Sequence, residues 1–109
     1  MKNQNKQSEI ELKVLNTIQE KSNQTQRSIA EGVGVSLGKT NYLIKSLIDK
    51  GLLKINNFKR ADNKLSYLYI LTPEGIEARR RLTISFLQRK SEEYEELKKE
   101  IERMDQNND

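Results

Sequence analysis

The stretch that decides the fold, residues 26–45, is QRSIAEGVGVSLGKTNYLIK. Its apolar residues recur at helical spacing in two runs, one around Ile29 and a second that goes through Leu43 to Leu47, just beyond the stretch. Gly34 lies between the runs, where a tight turn needs a positive φ. The stretch therefore predicts a helix, a tight turn and a second helix, which is a helix-turn-helix, and DNA is the leading partner.

The second of these helices has an outward face suited to a DNA groove, because its side chains there are mostly small, polar or basic. By residue type Asn41 is best placed to contact adenine, whereas Ser36 and Lys39 can also hold phosphates. Gly38 is predicted to let backbone and DNA come close, at a cost of roughly 1 kcal/mol in helix propensity. The predicted DNA contacts of the two helices are Thr25, Gln26, Ser36, Leu37, Gly38, Lys39, Asn41, Tyr42 and Lys45.

The tripeptide Gly38-Lys39-Thr40 looks like the end of a phosphate-binding P-loop, but its glycine spacing does not fit. That motif needs four residues between its glycines, whereas three residues separate Gly34 from Gly38 and five separate Gly32 from it. The preceding residues are polar and helix-like, so the strand that holds such a loop is also missing. Nucleotide hydrolysis is therefore not expected.

Composition argues against other catalytic chemistry. The chain has no His and no Cys, so it lacks the usual general base, thiol nucleophile and transition-metal ligands. The acid-rich run at residues 92–96 is predicted to be a solvated helix face. We therefore predict no enzymatic activity, no catalytic residue, no metal and no cofactor.

Length and composition indicate one small domain, and its thin apolar content favours help from a dimer partner. The chain has 109 residues, of which 34% are hydrophobic, a thin supply for a self-sufficient core. The absence of Cys excludes disulfides. No long apolar stretch is present and the start is polar, so we expect a cytoplasmic protein without a membrane partner.

The net charge of +4 is unevenly distributed. Residues 37–65 carry seven Lys or Arg against two Asp, a balance of +5, whereas residues 91–109 have a balance of −5. Such clustering is an electrostatic footprint for DNA, basic at the helix-turn-helix and acidic far from it. The alternative is that both segments are ordinary solvated faces.

A further helix is predicted before the helix-turn-helix. Residues 1–7 are expected to be disordered, and Ser8 with Glu11 forms a capping box that opens the helix. Thr25 and Ser36 are expected to cap the two helices that follow. The apolar face of the first helix consists of Ile10, Val14, Leu15 and Ile18.

A β-hairpin is predicted after the helix-turn-helix, because the pattern at residues 52–58 alternates and residues 65–71 are rich in aromatic and branched side chains. Its tip combines turn-forming residues with the three cations Lys59, Arg60 and Lys64. As a wing, the tip would place Arg60 in the minor groove or the two lysines on phosphates. The alternative is an ordinary solubilising turn.

A long last helix is predicted from Pro73 to about Met104, with Thr72 as its cap. Its far part is expected to pair with the same helix of a second chain, although a frayed charged tail is the alternative. The predicted dimer contacts are Leu82, Phe86, Leu87, Tyr94, Leu97, Ile101 and Met104. The predicted division is a tail at 1–7, a DNA-binding domain at 8–72, a dimerisation helix at 73–104 and a tail at 105–109.

Four segments together resemble the winged-helix MarR family of bacterial regulators, and most closely its small group associated with exopolysaccharide synthesis. They are residues 25–30, 35–47, 50–52 and 71–75, and the resemblance covers roughly residues 10–101. The last segment, Leu-Thr-Pro-Glu-Gly, is similar to the Leu-Thr-x-x-Gly that follows the family wing. The resemblance implies a winged helix-turn-helix fold, mainly α with a β-hairpin, and a function in transcription control.

The chain departs from the family pattern at the wing, where Asp62-Asn63-Lys64 stands in place of Asp-x-Arg and Arg60 comes earlier. Much of the larger members' dimerisation architecture is also missing, so the family's usual small-molecule pocket is not assumed and an effector stays unspecified.

These observations predict a homodimeric winged-helix transcriptional regulator. Its two recognition helices are expected in successive grooves about 34 Å apart, on a palindromic operator. A competing possibility is a winged-helix module that binds another protein through the third helix and the acidic tail. A third is RNA binding, for which Tyr42, Tyr67 and Tyr69 could stack on bases, although strand tyrosines are more often core residues.

Overall fold

The computed structural model describes residues 2–20, 25–59 and 65–107. Within these residues, four helices and a two-stranded antiparallel sheet follow one another in the order that the sequence predicts, which confirms the fold class of a winged helix-turn-helix with a long last helix. The elements are α1 (Lys2–Glu20), α2 (Gln26–Val33), α3 (Leu37–Asp49), β1 (Leu53–Lys59), β2 (Leu65–Leu71) and α4 (Pro73–Asn107).

Helix α1 begins at Lys2 and not at Ser8, so the disorder predicted for residues 2–7 and the predicted capping box are wrong. The polar residues before Ser8 include no Gly or Pro, and a helix that already has a packed nucleus extends into such residues at little cost. The early turns also lie along α4, where Glu9 Oε1 is 3.9 Å from Arg89 Nη2.

Helix α4 likewise continues past its predicted end near Met104 and reaches Asn107, so residues 105–107 are helical and not a disordered tail. Residues 108 and 109 lie outside the described part of the chain. No Gly or Pro follows Gly75 in the sequence, which leaves nothing to stop the helix. At 35 residues α4 spans about 52 Å, and the molecule measures 72 × 25 × 22 Å along its principal axes.

The core lies where the first three helices meet the inner face of the hairpin. Helix α1 contributes its predicted apolar face, with Val14, Leu15 and Ile18 buried and Ile10 packed at the edge. The other buried members of this cluster are Ile29 from α2, Leu43, Ile44 and Leu47 from α3, and Leu53, Tyr69 and Leu71 from the sheet. Burial of these side chains fixes the orientation of α3 and therefore of its outward face.

The base of the hairpin is clamped between the end of α3 and the start of α4. The two strands are antiparallel, and Leu53 lies opposite Leu71 at the base of the hairpin. Below them the Thr72 amide donates to the Leu52 carbonyl at 3.0 Å, and the Thr72 hydroxyl donates to the Gly51 carbonyl at 2.6 Å. The same hydroxyl accepts from the Gly75 amide at 3.0 Å, so it also caps α4 as predicted.

Candidate nucleic-acid interface

The joint between α2 and α3 has the geometry that the sequence predicts. Gly34 has φ 84°, in the left-handed region that favours glycine, and its amide donates to the Ala30 carbonyl at 2.8 Å. The amide of Val35 donates to the same carbonyl at 3.1 Å. These bonds turn the chain sharply, so α3 starts two residues later, after the Ser36 cap.

Ser36 begins α3 as an N-cap. Its side-chain oxygen accepts from the Lys39 amide at 3.1 Å, and its carbonyl accepts from the buried Thr40 hydroxyl at 2.9 Å. A hydroxyl that accepts one bond still carries a hydrogen that it can donate to a phosphate oxygen. The cap therefore fixes the start of α3 and remains compatible with the predicted phosphate contact.

The outward face of α3 is available to a ligand. Thr40, Leu43 and Leu47 are completely buried on the inner side. Tyr42 is 64% exposed and Leu37 is 44% exposed. The exposed residues of α3 include all of those predicted to contact DNA, namely Leu37, Gly38, Lys39, Asn41, Tyr42 and Lys45.

Gly38 has no structural reason to be glycine within this chain. Its φ is not in the left-handed region, and a Cβ built on it would meet no atom within 4 Å in the part of the chain that the structure describes. A glycine in a helix normally costs about 0.5–1 kcal/mol relative to alanine. Open space in front of such a residue is consistent with close approach by another molecule.

The start of α2 differs in detail from the expectation. Thr25 is exposed and forms the cap in a reciprocal capping box with Ser28. Gln26 is half-buried, and its Nε2 donates to the Tyr69 hydroxyl at 3.3 Å, so this side chain ties α2 to the sheet. Arg27, the next residue, is exposed, although the predicted DNA contacts do not include it.

The described residues include only part of the predicted wing tip. The backbone of Lys59 forms the end of β1, whereas Arg60 and Lys64 lie outside the described residues. Tyr69, one of the tyrosines that could stack on RNA, is buried in the core with 8% exposure. Tyr42 remains as an exposed aromatic side chain on α3.

The predicted dimer residues fall into two groups along α4. Leu82 packs against the core of its own chain, and Phe86, four residues later, is half-buried. Further along, α4 leaves Leu87, Tyr94, Leu97, Ile101 and Met104 between 54% and 64% exposed.

Other kinds of site find little support in the described residues. They contain no group of three or more acidic side chains arranged to hold a metal ion. None of their helices combines the length and apolar character needed to cross a membrane.

Comparison with known proteins supports the helix-turn-helix interpretation. Residues 7–54 match the sequence model of a family described as winged helix-turn-helix DNA-binding. No curated protein sequence matches the chain.

Solved structures extend the similarity beyond residues 7–54. The PcaV transcriptional regulator from Streptomyces coelicolor, crystallised with its natural ligand, is 26% identical with a TM-score of 0.60 over 72% of this chain and 54% of its own. A MarR/EmrR family transcriptional regulator from Acinetobacter has 19% identity and a TM-score of 0.62 over 78% and 58%. A point mutant of MepR from Staphylococcus aureus, bound to an oligodeoxyribonucleotide, has 21% identity and a TM-score of 0.57 over 87% and 75%. The chain spans about half the length of PcaV.

Proposed function

We propose that this protein is a sequence-specific DNA-binding transcriptional regulator. The observation that carries the proposal is the outward face of α3, where Lys39, Asn41 and Lys45 are exposed while the opposite side of the same helix is buried. Asn41 can make paired hydrogen bonds to adenine, and the lysines can contact phosphates or guanine. The match to a winged helix-turn-helix family and the similarity to MarR-type regulators support the same function.

The proposed active species is a homodimer on a palindromic operator. A two-fold symmetric dimer presents two identical recognition helices, so its preferred DNA site repeats with the same symmetry. Exposed apolar side chains on the far part of α4 supply the surface for pairing. Control of exopolysaccharide synthesis is the finer proposal, and it rests on the resemblance of residues 25–30, 35–47, 50–52 and 71–75 to that group of regulators.

The experiment that tests the proposal is a fluorescence-anisotropy titration of labelled duplex DNA at fixed salt. Asn41→Ala should relax the preference for the operator over other sequences, because it removes a contact to a base. Arg60→Ala should weaken binding to all sequences, because the proposed wing contact is not restricted to one sequence. Asn107→Ala is the matched control for Asn41→Ala, because it removes the same side chain from an exposed position at the far end of α4. Operator affinity that is unchanged for both α3 and wing variants refutes the assignment.

The competing function is binding of another protein through α3, which the exposed Leu37 and Tyr42 favour. Salt distinguishes the two functions. If the protein neutralises several phosphates, log K falls steeply with log salt, by roughly 0.9 per phosphate. A complex held mainly by Leu37 and Tyr42 would change little over the same range of salt.

A further inference from the structure

Helix α4 carries an apolar stripe that its own domain does not cover. The stripe consists of Leu87, Tyr94, Leu97, Ile101 and Met104, all more than half exposed. Ala78, which is buried against the domain, lies nine residues before Leu87, about two and a half turns, and therefore on the opposite side of the helix. Most of the stripe faces away from the domain, whereas Leu97 lies at the edge of a cleft that Asn5 of α1 forms with α4. A second molecule can therefore reach Leu87, Tyr94 and Ile101 without displacing α1.

Charge is segregated along the same helix. Residues 73–90 contain five basic and two acidic residues, whereas residues 91–107 contain seven acidic and three basic residues. The basic half holds a run at residues 79–81 followed by Arg89 and Lys90, and the acidic half ends in Glu102 and Asp105. Two copies that run in opposite directions bring the acidic end of each towards the basic half of the other.

We propose that two copies of α4 pair antiparallel. Their apolar stripes lie side by side over their full length, so that the first residue of one stripe is opposite the last residue of the other. This inference rests on the homodimer of the proposed function and specifies its geometry. In this register Leu87 faces the partner's Met104, and Tyr94 faces the partner's Leu97. Lys90, which interrupts the stripe, faces the partner's Ile101, where its aliphatic stem covers apolar surface and its ammonium reaches solvent.

A parallel pair is less favourable for the same residues. It sets Lys90 against its own copy within the apolar seam, which is its main cost. At the rim it sets Glu100 beside the partner's Asp105 but also Glu93 beside the partner's Lys98, so the rim contacts offset one another. The antiparallel pair brings Glu93 near the partner's Glu100. Each of these carboxylates already has a cation in its own helix, however, since Lys90 Nζ is 3.2 Å from Glu93 Oε2 and Arg103 Nη2 is 2.9 Å from Glu100 Oε2.

The antiparallel pair also determines where the DNA-binding domains lie. Its two-fold axis passes between residues 95 and 96, and Ala78, which anchors the domain, is about 26 Å from that axis along the helix. The two domains are therefore held about 50 Å apart, at opposite ends of a rod. That separation exceeds the roughly 34 Å between successive grooves that the sequence alone suggested.

Site-directed crosslinking in the full-length chain tests the orientation, because the protein has no native cysteine. Leu87→Cys and Met104→Cys are prepared separately, incubated together under reducing conditions so that subunits exchange, and then oxidised. The antiparallel pair predicts a disulfide-linked dimer only in the mixture, since each cysteine is about 25 Å from its own copy. Glu96→Cys replaces an exposed residue on the side of α4 away from the stripe and is the control that should not crosslink with either.

Three other outcomes overturn the inference, and sedimentation of the unmodified protein separates them. Crosslinking of each single variant with itself indicates a parallel pair. No crosslink together with a dimer mass leaves the proposed homodimer intact and refutes this pairing of α4. No crosslink together with a monomer mass refutes the homodimer of the proposed function as well.

Discussion

Replacement of Gly38 by alanine should make the protein more stable and its DNA complex weaker. Gly38 is the second residue of α3, its φ is not in the left-handed region, and the added methyl would meet no atom of the described residues within 4 Å. Alanine should therefore raise the free energy of unfolding by about 0.5–1 kcal/mol through helix propensity. For a domain of this size the melting temperature should rise by roughly 2–8 °C.

The same methyl should interfere with DNA if α3 lies in the groove as proposed. An extra methyl in a closely packed contact typically costs about 1–3 kcal/mol, which corresponds to roughly 5- to 150-fold weaker binding. Thermal unfolding followed by circular dichroism measures the first effect, and anisotropy titration with duplex DNA measures the second. The two effects have opposite signs, so loss of folding cannot mimic loss of binding.

Gly32→Ala is the matched control for this prediction. Gly32 also lies in a helix, α2, and its added Cβ would make an ordinary contact at 3.6 Å with Thr17 Cγ2. It should gain similar stability and leave DNA affinity unchanged. Equal DNA affinity of the two variants would refute close approach of DNA at Gly38, and loss of stability in Gly38→Ala would refute the assignment of open space there.

Two further predictions concern the clamp between the wing and α4. Gly75→Ala should destabilise the protein by at least about 1–3 kcal/mol, because the new Cβ would collide with the Leu52 carbonyl oxygen, whereas Ile76→Ala at the next, exposed position should change little. Denaturant unfolding measures both, and equal midpoints for the two variants would contradict the packing described at Gly75. Thr72→Ala should cost about 1–2 kcal/mol, because its hydroxyl bonds to both the Gly51 carbonyl and the Gly75 amide. Thr83→Ala is the matched control, since that hydroxyl donates to the Arg79 carbonyl within its own exposed turn of α4. If Thr83→Ala lowered the free energy of unfolding as much as Thr72→Ala, the result would contradict the clamp.

Local signals in the sequence predicted much of the fold. Thr25, Ser36 and Thr72 are caps in the structure because a side-chain oxygen at these positions satisfies amides that a helix start leaves unpaired. Gly34 was identifiable because few other residues adopt its φ at low cost.

Effects that depend on tertiary contacts were not predictable from the same signals. The capping box at Ser8 was a plausible local start, but a helix whose later turns pack into the core extends through polar residues that contain no helix breaker, and α1 begins at Lys2. Gln26 is polar and near a helix start, so its type suggested DNA, and only the fold brings the Tyr69 hydroxyl to it from 43 positions away. The exposure of α3 was predictable from periodicity, whereas the neighbours of each side chain were not.

Selection of bound sites from a pool of random duplex DNA tests the central claim most directly, namely that the exposed face of α3 reads DNA sequence. The wild-type protein should enrich a two-fold symmetric site, and Asn41→Ala should lose the preference at one base position in each half-site while it still binds DNA. Failure of the wild-type protein to enrich any sequence, at a salt concentration where it is folded, would contradict the claim.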